Sequence, residues 1–285
     1  MSRTVYVNGE YVAEENAKIS IFDRAFLMAD GVYEVTSVID RKLVDFEGHK
    51  VRLHRSLSEL KMRAACSDDE LLAIHRELIE RNDLDNGMIY LQVTRGAPGD
   101  RDFAWPGDDC EPGIVLFTQA KDLVNSPAAA KGLKVISLED QRWARRDIKT
   151  VQLLFPSFAK MEAKAQGADD AWLTEDGLVN EGTSNNAYIV KDGAIITRHL
   201  SNDILHGITR SAVLRFAREA QMKVEERSFS VEEAQNADEA FCTAASAFVT
   251  PVVEIDGKPV GTGTPGPVAT RLREIYIEES RKVAI

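Results

Sequence analysis

Apolar positions along the first half of the chain alternate, switch to helical spacing, and then alternate again. "TVYVNGEYV" (4–12) sets two alternating runs on either side of an Asn-Gly pair, which predicts a hairpin. "GVYEVTSVIDRKLVDFE" (31–47) predicts a second pair of strands. From His49 the period changes, and Leu53, Leu57, Leu60 and Ala64 recur at helical spacing. Ser67 and Glu70 form a capping-box pattern ahead of "LLAIHRELIERN", a second helix ended by Asn86-Gly87. "MIYLQVT" (88–94) and "GIVLFTQA" (113–120) read as strands again. Residues 1–120 are therefore expected to form an α+β domain, an antiparallel sheet with two helices.

Residues 121–132, "KDLVNSPAAAKG", carry Pro, Ser and Asn between two strand patterns and read as a linker. A second domain is expected over 133–285. It opens with the strand "LKVISLED" and continues with a helix at about 156–166 and a strand near "DAWLTEDG". "AYIVKDGAIITR" (187–198) and "VVEIDGKPV" are Asp-Gly hairpins. In "ITRSAVLRFAREAQM" (208–222), Val213, Phe216, Ala217 and Ala220 share one helical face. Ser230 and Glu233 repeat the capping-box signal, and a last helix follows Pro267.

Composition narrows the function. With 285 residues, 44% hydrophobic and 28% charged, the chain is an ordinary globular one, long enough for one large or two modest domains. A net charge of −11 argues against a nucleic-acid partner, which selects a basic face. No apolar run is long enough to span a bilayer, and "MSRTVYVNGEYV" lacks the character of an apolar signal segment, so no membrane partner is expected. The three cysteines, Cys66, Cys110 and Cys242, are far apart and odd in number, which suits a reducing, cytoplasmic setting.

Several familiar chemistries drop out. "GTGTPG" (261–266) fits G-x-G-x-x-G, but Pro265 and Pro267 interrupt it and no strand–helix–strand unit surrounds it, so it reads as a loop. His49, His54, His75, His199 and His206 form no H-E-x-x-H pair, and no metal site is expected. Neither a nucleophile elbow nor a phosphate loop is present.

Four segments remain. In "WARRDIKTVQLLF" (143–155) one lysine, Lys149, stands in an apolar run just after two arginines. A strand-edge lysine is the ordinary reading. The alternative is a buried amine, kept neutral by burial and nearby positive charge and so able to attack a carbonyl. "VNEGTSNNAYIV" (179–190) sets Glu181 beside a tight polar turn; it is either a solvated carboxylate or one held by the turn and aimed at a cationic ring nitrogen. "SNDILHGITRSAV" (201–213) starts a helix just after Gly207, and "FCTAASAFVTP" (241–251) makes a turn of small residues; both expose backbone amides suited to an anion. Lysine, carboxylate, arginine and amide-rich turns together suit pyridoxal 5'-phosphate.

The order and wording of these segments resemble the fold-type IV pyridoxal-phosphate enzymes, and among them the D-amino-acid aminotransferases. The resemblance runs from "VYVNGEYV" through "FDRAFLMADGVYEV", "GHKVRLHRSL", "IYLQVTRG", "RRDIKTVQLL", "EGTSNNAYIV" and "LHGITR" to "TPVVEIDGKPV". It implies a two-domain α+β fold with the cofactor at the domain interface. It also implies that Lys149 is the Schiff-base lysine and proton shuttle, and that Glu181 pairs with the pyridine nitrogen. By the same resemblance Arg52, Ile208, Thr209, Ala245 and Ser246 hold the phosphate, Leu205 packs on the ring, and Ser184 and Asn186 complete the cofactor contacts. Tyr33, Arg101 and Phe103 are implied to meet the substrate. Phe103 stands where the D-alanine enzymes carry the histidine of an R-x-H element, and Leu154 stands where branched-chain enzymes usually carry a tyrosine.

The activity so implied is transamination between a D-amino acid, such as D-alanine, and a 2-oxo acid, such as 2-oxoglutarate, by a cytoplasmic homodimer. Three rivals stay open: an aminotransferase for branched-chain L-amino acids or (R)-amines, a lyase of the aminodeoxychorismate type, and a cofactor-free binding protein.

Overall fold

The computed structural model describes residues 2–285, and they divide into two compact units. The first comprises residues up to Asp122 together with Ile148–Gln152 and Val283–Ile285; the second comprises Leu123–Asp147 and Leu153–Lys282.

The first unit holds β1 (Thr4–Val7), β2 (Glu10–Ala13), α1 (Arg24–Met28), β3 (Gly31–Ile39), β4 (Lys42–Leu43), α2 (Phe46–Glu59), α3 (Asp68–Arg81), β5 (Gly87–Thr94) and β6 (Gly113–Ala120). The strands form one antiparallel sheet in the order β2-β1-β6-β5-β3-β4. Alternation decides its faces. Val32, Val38, Ile89, Leu91, Val93, Ile114 and Leu116 pack with Leu53 and Leu57 of α2 and Leu71, Ile74 and Leu78 of α3. The opposite face carries Tyr33, Tyr90 and Phe117, whose rings stack with centroids 5.6 and 4.9 Å apart. The expected capping box is present in full: the Ser67 hydroxyl accepts from the Glu70 amide, and the Glu70 carboxylate accepts from the Ser67 amide. Helix α2 starts at Phe46, three residues ahead of the His49 expected from periodicity, and Phe46 packs edge-on against His75 at 5.1 Å.

The second unit holds α4 (Pro127–Lys131), β7 (Leu133–Glu139), α5 (Leu154–Ala165), β8 (Asp170–Glu175), β9 (Leu178–Gly182), β10 (Asn186–Lys191), β11 (Ala194–Thr197), α6 (Ile208–Glu219), β12 (Lys223–Glu226), α7 (Val231–Gln235), β13 (Glu239–Ala244), β14 (Phe248–Ile255), β15 (Lys258–Pro259) and α8 (Pro267–Val283). Its sheet runs β12-β11-β10-β13-β14-β7-β8-β9, with β15 paired to β14. The pairings β11–β12, β14–β7 and β7–β8 are parallel. One core lies around Trp172, Ile189, Phe229 and Ile255, and a smaller one packs Ala159 and Ala163 of α5 on Ile136, Ala171 and Leu173.

Two sequence expectations differ from this arrangement. Residues 121–132 are not an open linker: α4 lies within them, and from Leu123 they cluster with the second unit. The Arg273 guanidinium, donating to the carbonyls of Leu123 and Val124, accounts for that attachment. Lys149, expected in the second domain, clusters with the first, because residues 148–152 pair with the start of β3. In "GTGTPG" the last glycine makes room for a helix cap. A Cβ on Gly266 would overlap the Glu239 carboxylate, which accepts from the amides of Val268 and Ala269 in the first turn of α8. Among the described residues no helix is long and apolar enough to cross a membrane.

His75 gives this fold a pH dependence. It is fully buried on α3, its Nδ1–H donates to the Leu71 carbonyl at 2.7 Å, and burial pushes its pKa down to about 4 from 6.5. An unfolded chain takes up this proton below about 6.5 and the folded chain only near 4. The stability tied to neutral His75 is therefore complete above pH 6.5 and lost as pH falls to 4. Unfolding free energy from urea titrations should drop by roughly 3 kcal/mol across that window through this group. His75→Gln, which keeps a donor for Leu71, should abolish that part of the decline.

Candidate functional site

In the first unit, backbone pairing sets the position of Lys149. The Tyr33 amide donates to the Lys149 carbonyl (3.0 Å), the Val151 amide donates to the Gly31 carbonyl (3.1 Å), and Val32 bridges Thr150. Ile148 is buried in the core beside Val32 and anchors the segment. This register holds the Lys149 ammonium 4.1 Å from the centroid of the Tyr33 ring, within cation–π reach. The lysine was expected to be buried beside Arg145 and Arg146. It is half-buried, and its ammonium faces an aromatic ring. Arg145 is paired with Asp147 (2.9 Å) and Arg146 with Glu175 (2.9 Å), so these cations answer carboxylates.

Arg52 and His49 sit one turn apart on α2 and both reach Glu34 on β3. Arg52 Nε and Nη2 donate to the two Glu34 oxygens (2.8 and 2.7 Å), and His49 Nδ1 lies 2.7 Å from Oε2. Burial alone would push the Glu34 carboxyl up. The charge and hydrogen bonds of Arg52, with those of His49, reverse that and hold it near 2, so Glu34 is ionised and His49 Nδ1 is the donor. The sequence reading missed Glu34 and His49. A signal was present: Glu34 occupies an inward position of an alternating strand, between Val32 and Thr36, where a charge requires a partner.

The 95–106 loop belongs to this unit too. Arg24, held by Asp30, donates to the carbonyls of Asp102 and Ala104, and Arg95 stacks on Trp105 at 4.4 Å. Beyond these tethers the Arg101 guanidinium lies over the Phe103 ring at 4.6 Å, and Phe103 is 76% exposed.

In the second unit, Glu181 lies on β9 and is buried. Its Oε1 accepts from Arg142 Nη1 (2.7 Å) and its Oε2 from Asn186 Nδ2 (2.9 Å); the Leu205 amide approaches both oxygens (3.2 and 3.1 Å). Asn186 Nδ2 also donates to the Leu205 carbonyl. The turn between β9 and β10 is held from below: Thr183 Oγ1 and Asn185 Nδ2 donate to the two oxygens of buried Asp170. Ser184, expected at the cofactor, is exposed on this turn; Thr183 and Asn185 face inward in its place. Arg142 was also missed. It forks onto Asp140, donating from Nε (2.9 Å) and Nη2 (2.7 Å), and Asp140 accepts further from Asn180. The run "EDQRWARRD" carries these alternating charges without indicating which pairs face inward.

Burial raises the Glu181 pKa above the usual carboxylate range, and the Arg142 charge acts against that shift. Arg142 is shared between Glu181 and Asp140, and Arg146 between Asp140 and the more exposed Glu175 and Asp203, so Glu181 has no cation to itself. A buried carboxylate short of positive charge suits a cationic ring nitrogen, so these residues fit the pyridine end of pyridoxal phosphate.

Helix α6 begins after Gly207 with no side-chain cap; Thr209 is buried at its first turn and Ile208 half-buried, leaving amides and dipole suited to a phosphate. Ala245 and Ser246 lie half-buried in the turn between β13 and β14.

Residues 31–255 match the family described as amino-transferase class IV. The D-alanine aminotransferase of Staphylococcus haemolyticus is 39% identical over 271 residues, 95% of each chain. That of Bacillus licheniformis is 36% identical, covering 98% of this chain and 99% of its own. Among solved structures, a branched-chain amino acid aminotransferase from T.th., complexed with N-(5'-phosphopyridoxyl)-L-glutamate, aligns with a TM-score of 0.88 at 30% identity, covering 99% of this chain and 95% of that one.

The position of Gly207 is testable. A Cβ there would overlap Asn186 Oδ1, and Asn186 cannot turn away without releasing Glu181 and Leu205. Gly207→Ala should cost about 1–3 kcal/mol, the cost of stranding buried polar groups. In an Asn186→Ala background the same change should cost much less, a coupling that a double-mutant cycle by denaturant unfolding reads directly.

Proposed function

The chain belongs to the amino-transferase class IV family, and from that membership we propose that it transfers an amino group between a D-amino acid, such as D-alanine, and a 2-oxo acid, such as 2-oxoglutarate, with pyridoxal 5'-phosphate as cofactor. The cofactor assignment rests above all on Glu181, a buried carboxylate whose one touching cation, Arg142, is shared with Asp140. The D-amino-acid assignment rests on curated relatives matched along almost the whole chain. The branched-chain reading is the alternative; matching solved structures include branched-chain enzymes, which speaks to the shared fold and not to the substrate.

When bound, pyridoxal phosphate supplies an aldehyde that condenses with amines and a protonated ring that draws electrons from the substrate α-carbon. The residues of the chain do the rest. Lys149 Nζ is the amine that would hold the cofactor, and the same atom would accept and hold the substrate α-proton as general base. Tyr33, under the ammonium, faces the substrate. Glu181 keeps the ring nitrogen protonated, with Asn186 and Leu205 holding the carboxylate in place. The phosphate is assigned to Arg52, with its guanidinium oriented by Glu34, and to Ile208, Thr209, Ala245 and Ser246. Ser184, on the exposed side of the turn, contributes through the turn's backbone.

We assign a homodimer in which the 95–106 loop presents Arg101 and Phe103 to the partner's substrate carboxylate. Exposed Phe103, and the exposed stripe Leu154, Phe158 and Met161 on α5, are apolar surface of the kind subunit contacts cover. Free Cys66, Cys110 and Cys242 suit a reducing cytoplasm.

Purified protein given pyridoxal phosphate should show a visible absorption band. D-alanine without acceptor should bleach it and L-leucine should not. Bleaching by L-leucine alone would move the function to the branched-chain reading, and no band at all would overturn the cofactor assignment. Lys149→Ala should lose transamination by several orders of magnitude; appreciable turnover would remove Lys149 from its role. Light scattering should give a dimer, and a fully active monomer would refute the shared loop.

A further inference from the structure

Glu181 shares its cation with a second buried carboxylate. Arg142 gives one nitrogen to Glu181 and two to Asp140, and the Asp140 side chain is wholly buried. Asp140 is anchored in turn by Asn180 and lies 3.3 Å from Arg146 Nε. Glu181 is therefore faced by the Arg142 cation, the Asp140 anion behind it, the Asn186 amide and the Leu205 amide. The single positive charge touching it is the one Arg142 also spends on Asp140.

Electrostatics gives this arrangement a direction. A proton shared between Glu181 and a ring nitrogen can rest on either. Arg142 is in hydrogen-bond contact with the carboxylate, so a proton on Glu181 is repelled more than one on a nitrogen beyond it. The Asp140 charge acts oppositely but from farther away, and its fork fixes the guanidinium plane. Resting on the pyridoxal-phosphate reading above, we propose that Arg142, locked by Asp140, is the positioning residue that keeps Glu181 ionised and so holds the proton on the cofactor ring nitrogen. Arg142 acts through its charge, and Asp140 acts on the orientation of Arg142.

The test uses holoenzyme loaded with pyridoxal phosphate labelled with 15N in the ring, whose chemical shift separates protonated from bare nitrogen. Wild type should show a protonated nitrogen across neutral pH. Arg142→Met should move it toward the bare-nitrogen position and lower kcat about 10- to 100-fold, the loss usual when a group orienting a reactive ligand is removed, with KM little changed. Arg142→Lys, which keeps the charge, should restore much of the protonated signal. Asp140→Asn loosens the fork that orients Arg142 but leaves its charge, so the nitrogen should move only partway toward bare, less than in Arg142→Met. A protonated nitrogen in Arg142→Met would overturn the proposal, as would a bare nitrogen in wild type. Should Arg142→Met not fold, Arg142→Gln takes its place, and a fully protonated nitrogen in that variant would overturn the proposal equally. Failure of wild type to take up the cofactor at all would instead sink the underlying function.

Discussion

Placing an ionised carboxylate inside a protein is costly unless charge and hydrogen bonds meet it. Glu181 is met incompletely. Burial lifts its pKa, Arg142 opposes that, and Arg142 is itself divided between Glu181 and Asp140. Much of the second unit's local architecture follows from this arrangement. Asn186 must come close, which requires a glycine at 207. Leu205 must turn its amide inward, and the β9–β10 turn must be clamped on Asp170. A ligand bearing a cationic nitrogen would complete the charge balance that the polypeptide leaves open.

The first unit treats its two chemical cations differently. Arg52 is bound to Glu34 through two nitrogens and seconded by His49, an arrangement in which the guanidinium has little freedom to turn. Lys149 is placed by its surroundings and not by an ion pair: its backbone is fixed by pairing with β3 and its ammonium lies on the Tyr33 ring. An aromatic face attracts a cation more weakly than a buried carboxylate does, so the Lys149 side chain is held less firmly than that of Arg52. The Tyr33–Tyr90–Phe117 stack makes that face rigid.

Local signals in the sequence carried far. Alternation, Asn-Gly and Asp-Gly turns and the Ser67–Glu70 box located the hairpins and the two N-terminal helices, because these depend on neighbours within a few residues. Short elements without such signals, including α1, α4 and β12, emerged only with their partners; β12 exists because it pairs in parallel with β11. The motifs around Lys149, Glu181 and Gly207 stood out in the same way, as unusual residues in otherwise regular runs.

The sequence by itself determined most element types and singled out Lys149 and Glu181 as candidates, since both depend on residue type and short-range pattern. Tertiary structure alone decided which charges meet. Glu34 finds Arg52 18 positions away, Arg142 finds Glu181 39 positions away, and Asn186 finds Leu205 19 positions away. It also decided that Lys149 joins the first unit, because its segment pairs with β3 across more than a hundred residues of chain. Pairings of that reach are set by burial and by the need to satisfy every buried charge, and no local pattern encodes them.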